Sequence, residues 1–239
     1  MKTRNIIGLI TIVGLFAGTC LAAAGEKAVA KAEKSWEASL APQVEAMSSI
    51  GRNHFFILEP GHQRVYQGKE GRKTVDLIIT VLNETKQVAG VETRVVEERE
   101  SADGKLVEVS RNYFAIGATT KNVYYFGEDV DMYKNGKVSS HEGAWLAGVN
   151  GAKHGIAMPA ENRVGEKYYQ EQAPKVAQDR AETVSVTETI KTPAGKFTNC
   201  LKVKETTPLE RGVGYKIYAP EIGLVSDGEL KLVRQGVVK

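Results

Sequence analysis

The sequence predicts an all-β protein, an antiparallel meander that closes into a barrel or half-barrel. Three observations carry this. From Gln63 onward apolar residues recur with period two, in runs rich in valine, isoleucine and threonine. The runs are joined by short turn signals, among them the tight-hairpin dipeptides Asp103-Gly104 and Asn135-Gly136. Strands do not alternate with helical patterns, which argues against a parallel α/β sheet. A meander of about ten such strands has edges to pair, cover or close, and a barrel does so with short connections.

Taken in order, residues 1–24 have the form of a secretory signal. Lys2 and Arg4 open it, Ile6 to Phe16 form an apolar run, and Ala22-Ala23-Ala24 offers a cleavage site before Gly25. The run is shorter than the ~20 residues of a transmembrane helix. The expected mature protein is exported, periplasmic or extracellular, and has no transmembrane span. Lipidation at Cys20 is the alternative that would leave it membrane-anchored, although Ala17-Gly18-Thr19 fits the bacterial lipoprotein pattern poorly. Residues 25–52 are expected to be a helical tether. Good helix formers dominate residues 26–48, and Trp36, Leu40, Val44 and Met47 share one helical face, with a kink expected at Pro42. Residues 53–239 form the expected β domain. Its strand runs begin at Arg64 and Lys73, pass through Lys105 to Phe114, Val123 to Phe126 and Ala181 to Lys191, and end at Leu230 to Val233.

Composition narrows the function. Without residues 1–24 the chain keeps 30 basic against 29 acidic residues, a balance that argues against nucleic-acid binding. Once Cys20 leaves, Cys200 has no intrachain partner, so no disulfide is expected. The catalytic motifs Gly-x-Ser-x-Gly and His-Glu-x-x-His and the phosphate-binding loop are missing, and no cofactor is expected. The four histidines, His54, His62, His141 and His154, show no zinc spacing, so no metal site is expected either.

What remains is the stretch from Tyr124 to Glu171. Its glycine-rich middle is expected to be irregular, yet it carries Trp145, His154 and Met158, which solvated linkers rarely need. Tyr124, Tyr125, Phe126, Tyr168 and Tyr169 flank it, and half of them must face inward. The expected site is an apolar cavity with a few polar fixtures at a barrel mouth. Trp145, His154, Met158, Tyr124 and Tyr169 would bind the ligand, with Met158 at one lip. Glu128, Glu171 and Asp179 would pin the loop by accepting its amide hydrogens.

Several phrases together resemble a bacterial family of exported, often lipid-anchored, β-rich proteins of unknown function. They are Asn112-Tyr-Phe-Ala, Asn122-Val-Tyr-Tyr-Phe-Gly-Glu128, Gly143-Ala-Trp145-Leu-Ala-Gly148, Gly151 to Pro159, Tyr169-Gln170-Glu171, Thr207-Pro208-Leu-Glu210 and Tyr218-Ala-Pro220. The resemblance spans Asn53 to Val225 and implies no activity. The C-terminal meander is also similar, at fold level, to periplasmic open-barrel proteins that hold lipids or lipoproteins. The expected function is a non-catalytic binding domain for an apolar or amphipathic molecule or an envelope partner. Two alternatives stay open. One is a hydrolase of an envelope or extracellular polymer, with Glu128 and Glu171 as paired acids. The other is a structural part of an envelope complex.

Overall fold

The computed structural model describes residues 36–238. Three short strands come first: β1 (Met47–Ser48), β2 (Arg52–Asn53) and β3 (Phe56–Ile57). Five long ones follow: β4 (His62–Glu70), β5 (Lys73–Val88), β6 (Val91–Ala102), β7 (Lys105–Gly117) and β8 (Val123–Lys134). Shorter pieces are β9 (Lys137–Ser140), β10 (Trp145–Leu146), β11 (Lys153–Met158), β12 (Lys167–Tyr169) and β13 (Glu171–Gln172). The chain ends in β14 (Arg180–Thr192), β15 (Gly195–Thr206), β16 (Gly214–Ala219), β17 (Gly223–Asp227) and β18 (Leu230–Val237). Two of the turns have the expected chemistry. Asp103 and Gly104 (φ 49° and 72°) and Asn135 and Gly136 (φ 54° and 74°) take the paired left-handed geometry that matches strand twist.

The strands form an antiparallel barrel. β14 to β18 lie side by side in chain order, β18 folds back onto β4, and β4 to β8 continue in order to β11. The two ends of this series meet on a single segment. β12 pairs with β14, and immediately afterwards β13 pairs with β11. The change of partner falls at Gln170, whose N–H donates to the Asp179 carbonyl at 2.9 Å. Gly155 of β11 lies at this crossing, where a Cβ would strike the carbonyls of Tyr169 and Gln170. Only glycine lets the two backbones come this close, so Gly155 is what allows the ring to close.

Cross-strand partners project to one face, so the register carries the interior face around the ring. Arg64 and Tyr66 of β4 stand opposite Ile79 and Leu77 of β5, and these stand opposite Glu98 and Glu100 of β6. Ser110 and Glu108 of β7 continue the row, and Asn112 leads through Glu128 of β8 to Trp145 of β10. On the other arm Val203, Lys216 and Asp227 share the face. The interior is therefore a mixture of aliphatic, aromatic and ionisable side chains.

Two sequence expectations are corrected. Residues 36–48 are not a helix: they are extended, and the chain from Trp36 to Ser48 straps across the outside of the barrel. The reason is that the barrel supplies backbone partners which a helix would forgo. Leu40 N–H donates to the Lys167 carbonyl at 3.0 Å, Ala118 N–H donates to the Ala46 carbonyl at 2.8 Å, and β1 pairs with β7. Residues 26–35 of the expected helix, the expected signal at 1–24 and Cys20 lie outside the described residues. The second correction concerns the glycine-rich stretch, which contains β10 and β11 and joins the barrel wall. Meanwhile the β2–β3 hairpin caps one end. Asn53 Nδ2 donates to the carbonyls of Lys121 and Pro159, each at 3.0 Å, while Phe55, Ile57 and Leu58 are buried beneath. Cys200 is buried as a free thiol. Among the described residues no helix is long and apolar enough to cross a membrane.

Candidate functional site

β10 places Trp145 opposite Glu128, with its ring inside the barrel and only 6% of the residue exposed. The indole meets Tyr125 edge-on at 5.2 Å. Tyr125 stacks on Phe114 at 4.8 Å, and Phe114 packs on Phe56 at 5.0 Å. The Tyr125 hydroxyl donates to Asn112 Oδ1 at 2.6 Å, which fixes the ring in place. This aromatic row runs between a groove beside Trp145 and a cavity beside Arg64, whose lining it joins at Phe56 and Phe114.

On the Trp145 side lies a groove of about 250 Å³, between the Trp145 loop and the turn after β13. Leu146, Val149, Ala152, Ala173 and Val176 give it apolar walls. Two polar atoms in its lining residues have no hydrogen-bond partner: Trp145 Nε1 and Glu128 Oε2. Both are sealed from bulk solvent, and Glu128 is only 1% exposed. A buried donor and a buried carboxyl left unmatched are each unfavourable by about 1–3 kcal/mol, so such groups are normally matched by protein, ordered water or a ligand.

The chemistry around Glu128 is acidic. Burial, and then the nearby Glu171, Glu108, Glu98 and Asp179, push its carboxyl well above the ordinary range. Glu171 is raised too, by burial and Asp179, despite accepting the Asp179 N–H at 2.7 Å on Oε1. Burial and Glu205 raise Asp179 to about 7, while burial, Glu100 and Glu98 raise Glu108 to about 8. Its surroundings thus favour the neutral acid form of Glu128, which can donate as well as accept.

On the far side of the aromatic row is a smaller cavity of about 50 Å³. Lys216 reaches it from β16, only 2% exposed, and forms an ion pair with Glu205 Oε2 at 2.8 Å and a looser one with Asp227 Oδ2 at 3.8 Å. Burial alone would lower the Lys216 ammonium, but Glu205 and Asp227 outweigh it and hold the charge firmly. Asp227 is raised to about 7 by burial, against the pull of Lys216.

The structure disperses the other sequence candidates. Tyr124 is fully buried, and its hydroxyl donates to Glu45 Oε1 at 2.9 Å, so it holds the strap. His154 is half-buried and stacks on Phe126 at 4.7 Å, away from the groove, and burial lowers its pKa. Met158 is fully buried in the core and forms no lip. Tyr169 meets Trp36 edge-on at 4.8 Å, again within the strap. Of the ligand-binding candidates Trp145 lines the groove, and of the three carboxylates Glu128 does. Glu171 is tied to the Asp179 backbone, and the Asp179 side chain is hydrogen-bonded to Thr207. Among the histidines, His54 bonds Glu221 at 2.9 Å and His141 bonds Asp131 at 2.9 Å, while burial drives His62 down to about 4. Among the described residues no cluster of three or more His, Cys, Asp or Glu side chains is arranged to hold a metal. Sequence reasoning did not find Glu98, Glu108, Lys216 or Arg64, because charged residues on a strand usually mark its solvent face.

No family model and no curated protein matches the chain. Among solved structures, a similar one is described as a "putative lipoprotein" from Parabacteroides distasonis, at 15% identity and a TM-score of 0.41 over 78% of this chain and 100% of that one. That description names no activity, and a likeness of this size carries none to this chain.

Proposed function

We propose that the protein is an exported envelope protein that binds a small amphipathic molecule without catalysis, in the groove beside Trp145. The apolar body of the ligand lies along Leu146, Val149 and Val176. Its head accepts a hydrogen bond from Trp145 Nε1 and exchanges one with the Glu128 carboxyl once a shift of the indole opens both to the groove. One observation carries this: two buried, unmatched polar atoms belong to residues lining a groove whose other walls are mostly apolar, with Asp129 and Asn150 also in the lining. The signal-like residues 1–24 support export.

The test is native mass spectrometry of protein purified from its own membrane-containing lysate, followed by titration with long-chain alcohols and amides. A bound species is expected on wild type. Trp145→Phe keeps the packing but removes the donor, and binding should weaken about tenfold, the worth of one hydrogen bond to a buried group. Binding unchanged in both Trp145→Phe and Glu128→Gln, with the fold intact, would remove the groove from consideration.

A further inference from the structure

The Arg64 cavity on the other side of the aromatic row has no part in the reading above. We infer that it is a second site, for a small oxyanion-headed molecule best matched by a short aliphatic carboxylate. Arg64 projects inward from β4 and is only 3% exposed. Among the described residues its guanidinium has no hydrogen bond and no ion pair, and Nε is sealed off without a partner. Arg64 is within electrostatic reach of Glu98, whose carboxyl it draws down against burial. But arginine cannot shed its charge, and a buried cation with no hydrogen-bonded partner is strongly unfavourable. The neighbouring cation does not share this problem, because Lys216 is already committed to Glu205 and Asp227.

The position of the guanidinium is built in. Gly223 has φ +89°, and any Cβ there would strike Arg64 Nη1. Glycine in the turn into β17 therefore leaves the room that the guanidinium occupies. Opposite stand Leu77, Ile79, Val96 and Phe114, an apolar wall suited to a hydrocarbon tail. The planar guanidinium fork matches a carboxylate with two parallel hydrogen bonds. About 50 Å³ exceeds what one water needs and suits a ligand of a few heavy atoms, so the tail is short. Glu98 and Asp227 also line the cavity. Burial raises both, against the pull of Lys216 and, for Glu98, of Arg64. Asp227 reaches about 7, so below that value it takes up a proton and its repulsion of an anion weakens.

The experiment is calorimetric titration of the full chain at pH 6, in carboxylate-free buffer, with acetate, propionate, butyrate, inorganic phosphate and propylamine. Saturable one-to-one binding is expected for the carboxylates, tightening with the first added methylenes and absent for propylamine. Arg64→Gln should weaken it at least tenfold. Should Arg64→Gln fail to fold, Val96→Phe decides: it keeps the guanidinium, fills the apolar end, and should abolish butyrate binding. Absence of carboxylate binding, binding of phosphate alone, or equal binding by wild type and the folded variants would overturn the assignment. A negative result here leaves the Trp145 groove untouched, since the two sites share no lining residue.

Discussion

The two compartments of the barrel handle buried charge in opposite ways. Around Glu128 burial and neighbouring carboxyls push the acids towards holding their protons, and Lys216 opposes this only in part at Glu171 and Asp179. Around Lys216 the charges persist and are paired. A protonated acid is mild to bury but makes the fold sensitive to rising pH. An ion pair tolerates neutral pH, but each partner becomes indispensable to the other. One protein thus carries both solutions, with a row of four aromatic rings between Trp145 and the Arg64 cavity.

The sharpest way to break that comparison is Lys216→Ala. It leaves Glu205 and Asp227 without their cation, and a loss of about 3–5 kcal/mol is expected at pH 8. Urea unfolding measures it, and the loss should shrink at pH 5, where the acids can take up protons. Next in size is the proton-held compartment. Glu108 is raised from 4.5 to about 8 in the folded state. The folded form then binds the proton more tightly, so its contribution is complete below pH 4.5 and is lost as pH rises through 8. For Glu108 this is on the order of 4 kcal/mol. Unfolding curves from pH 5 to 9 should slope downward, and Glu108→Gln should flatten them. An unchanged slope in that variant would place the proton on another residue.

The smallest effect belongs to the strap, which lies outside the strands carrying Glu128 and Glu171. Burial would raise the Glu45 carboxyl, but hydrogen bonds from Thr120, Thr119 and Tyr124 hold it at about 2. The sign is reversed here: the contribution is present above the ordinary carboxylate pKa and is lost as pH falls towards 2. Glu45→Gln should weaken the fold by about 1 kcal/mol, allowing for solvent screening. Hydrogen exchange should quicken at the Thr119 and Thr120 amides while the amides around Lys216 stay protected.

The antiparallel meander was legible because its signals are local. Asp103-Gly104 and Asn135-Gly136 fix their hairpins by backbone geometry alone, and β5 alternates cleanly through Val75, Leu77, Ile79 and Val81. Trp145 and Glu128 stand out as candidates because an indole and a carboxyl are conspicuous beside glycines, and the structure places both in the lining of one groove. The polar interior was not. β6 carries charges on both faces, and period two alone cannot tell which face is inside. On β14, Val184 and Val186 draw attention, yet the inward face carries Ala181 and Thr183. The strap was missed for a different reason. Its helix-forming composition was outweighed by hydrogen bonds to Lys167 and to β7, 68 or more residues away in sequence.

The pairing of β18 with β4 has a consequence for how the molecule assembles. Lys231 to Val237 must find His62 to Gln67, so the first long strand waits for the last one made. Until then β4 has one side exposed, and the barrel cannot seal. Such distant pairing slows folding and prolongs the time in which a bare strand can be captured by another chain. A chaperone that shields β4 during that interval would act on yield without touching the finished protein.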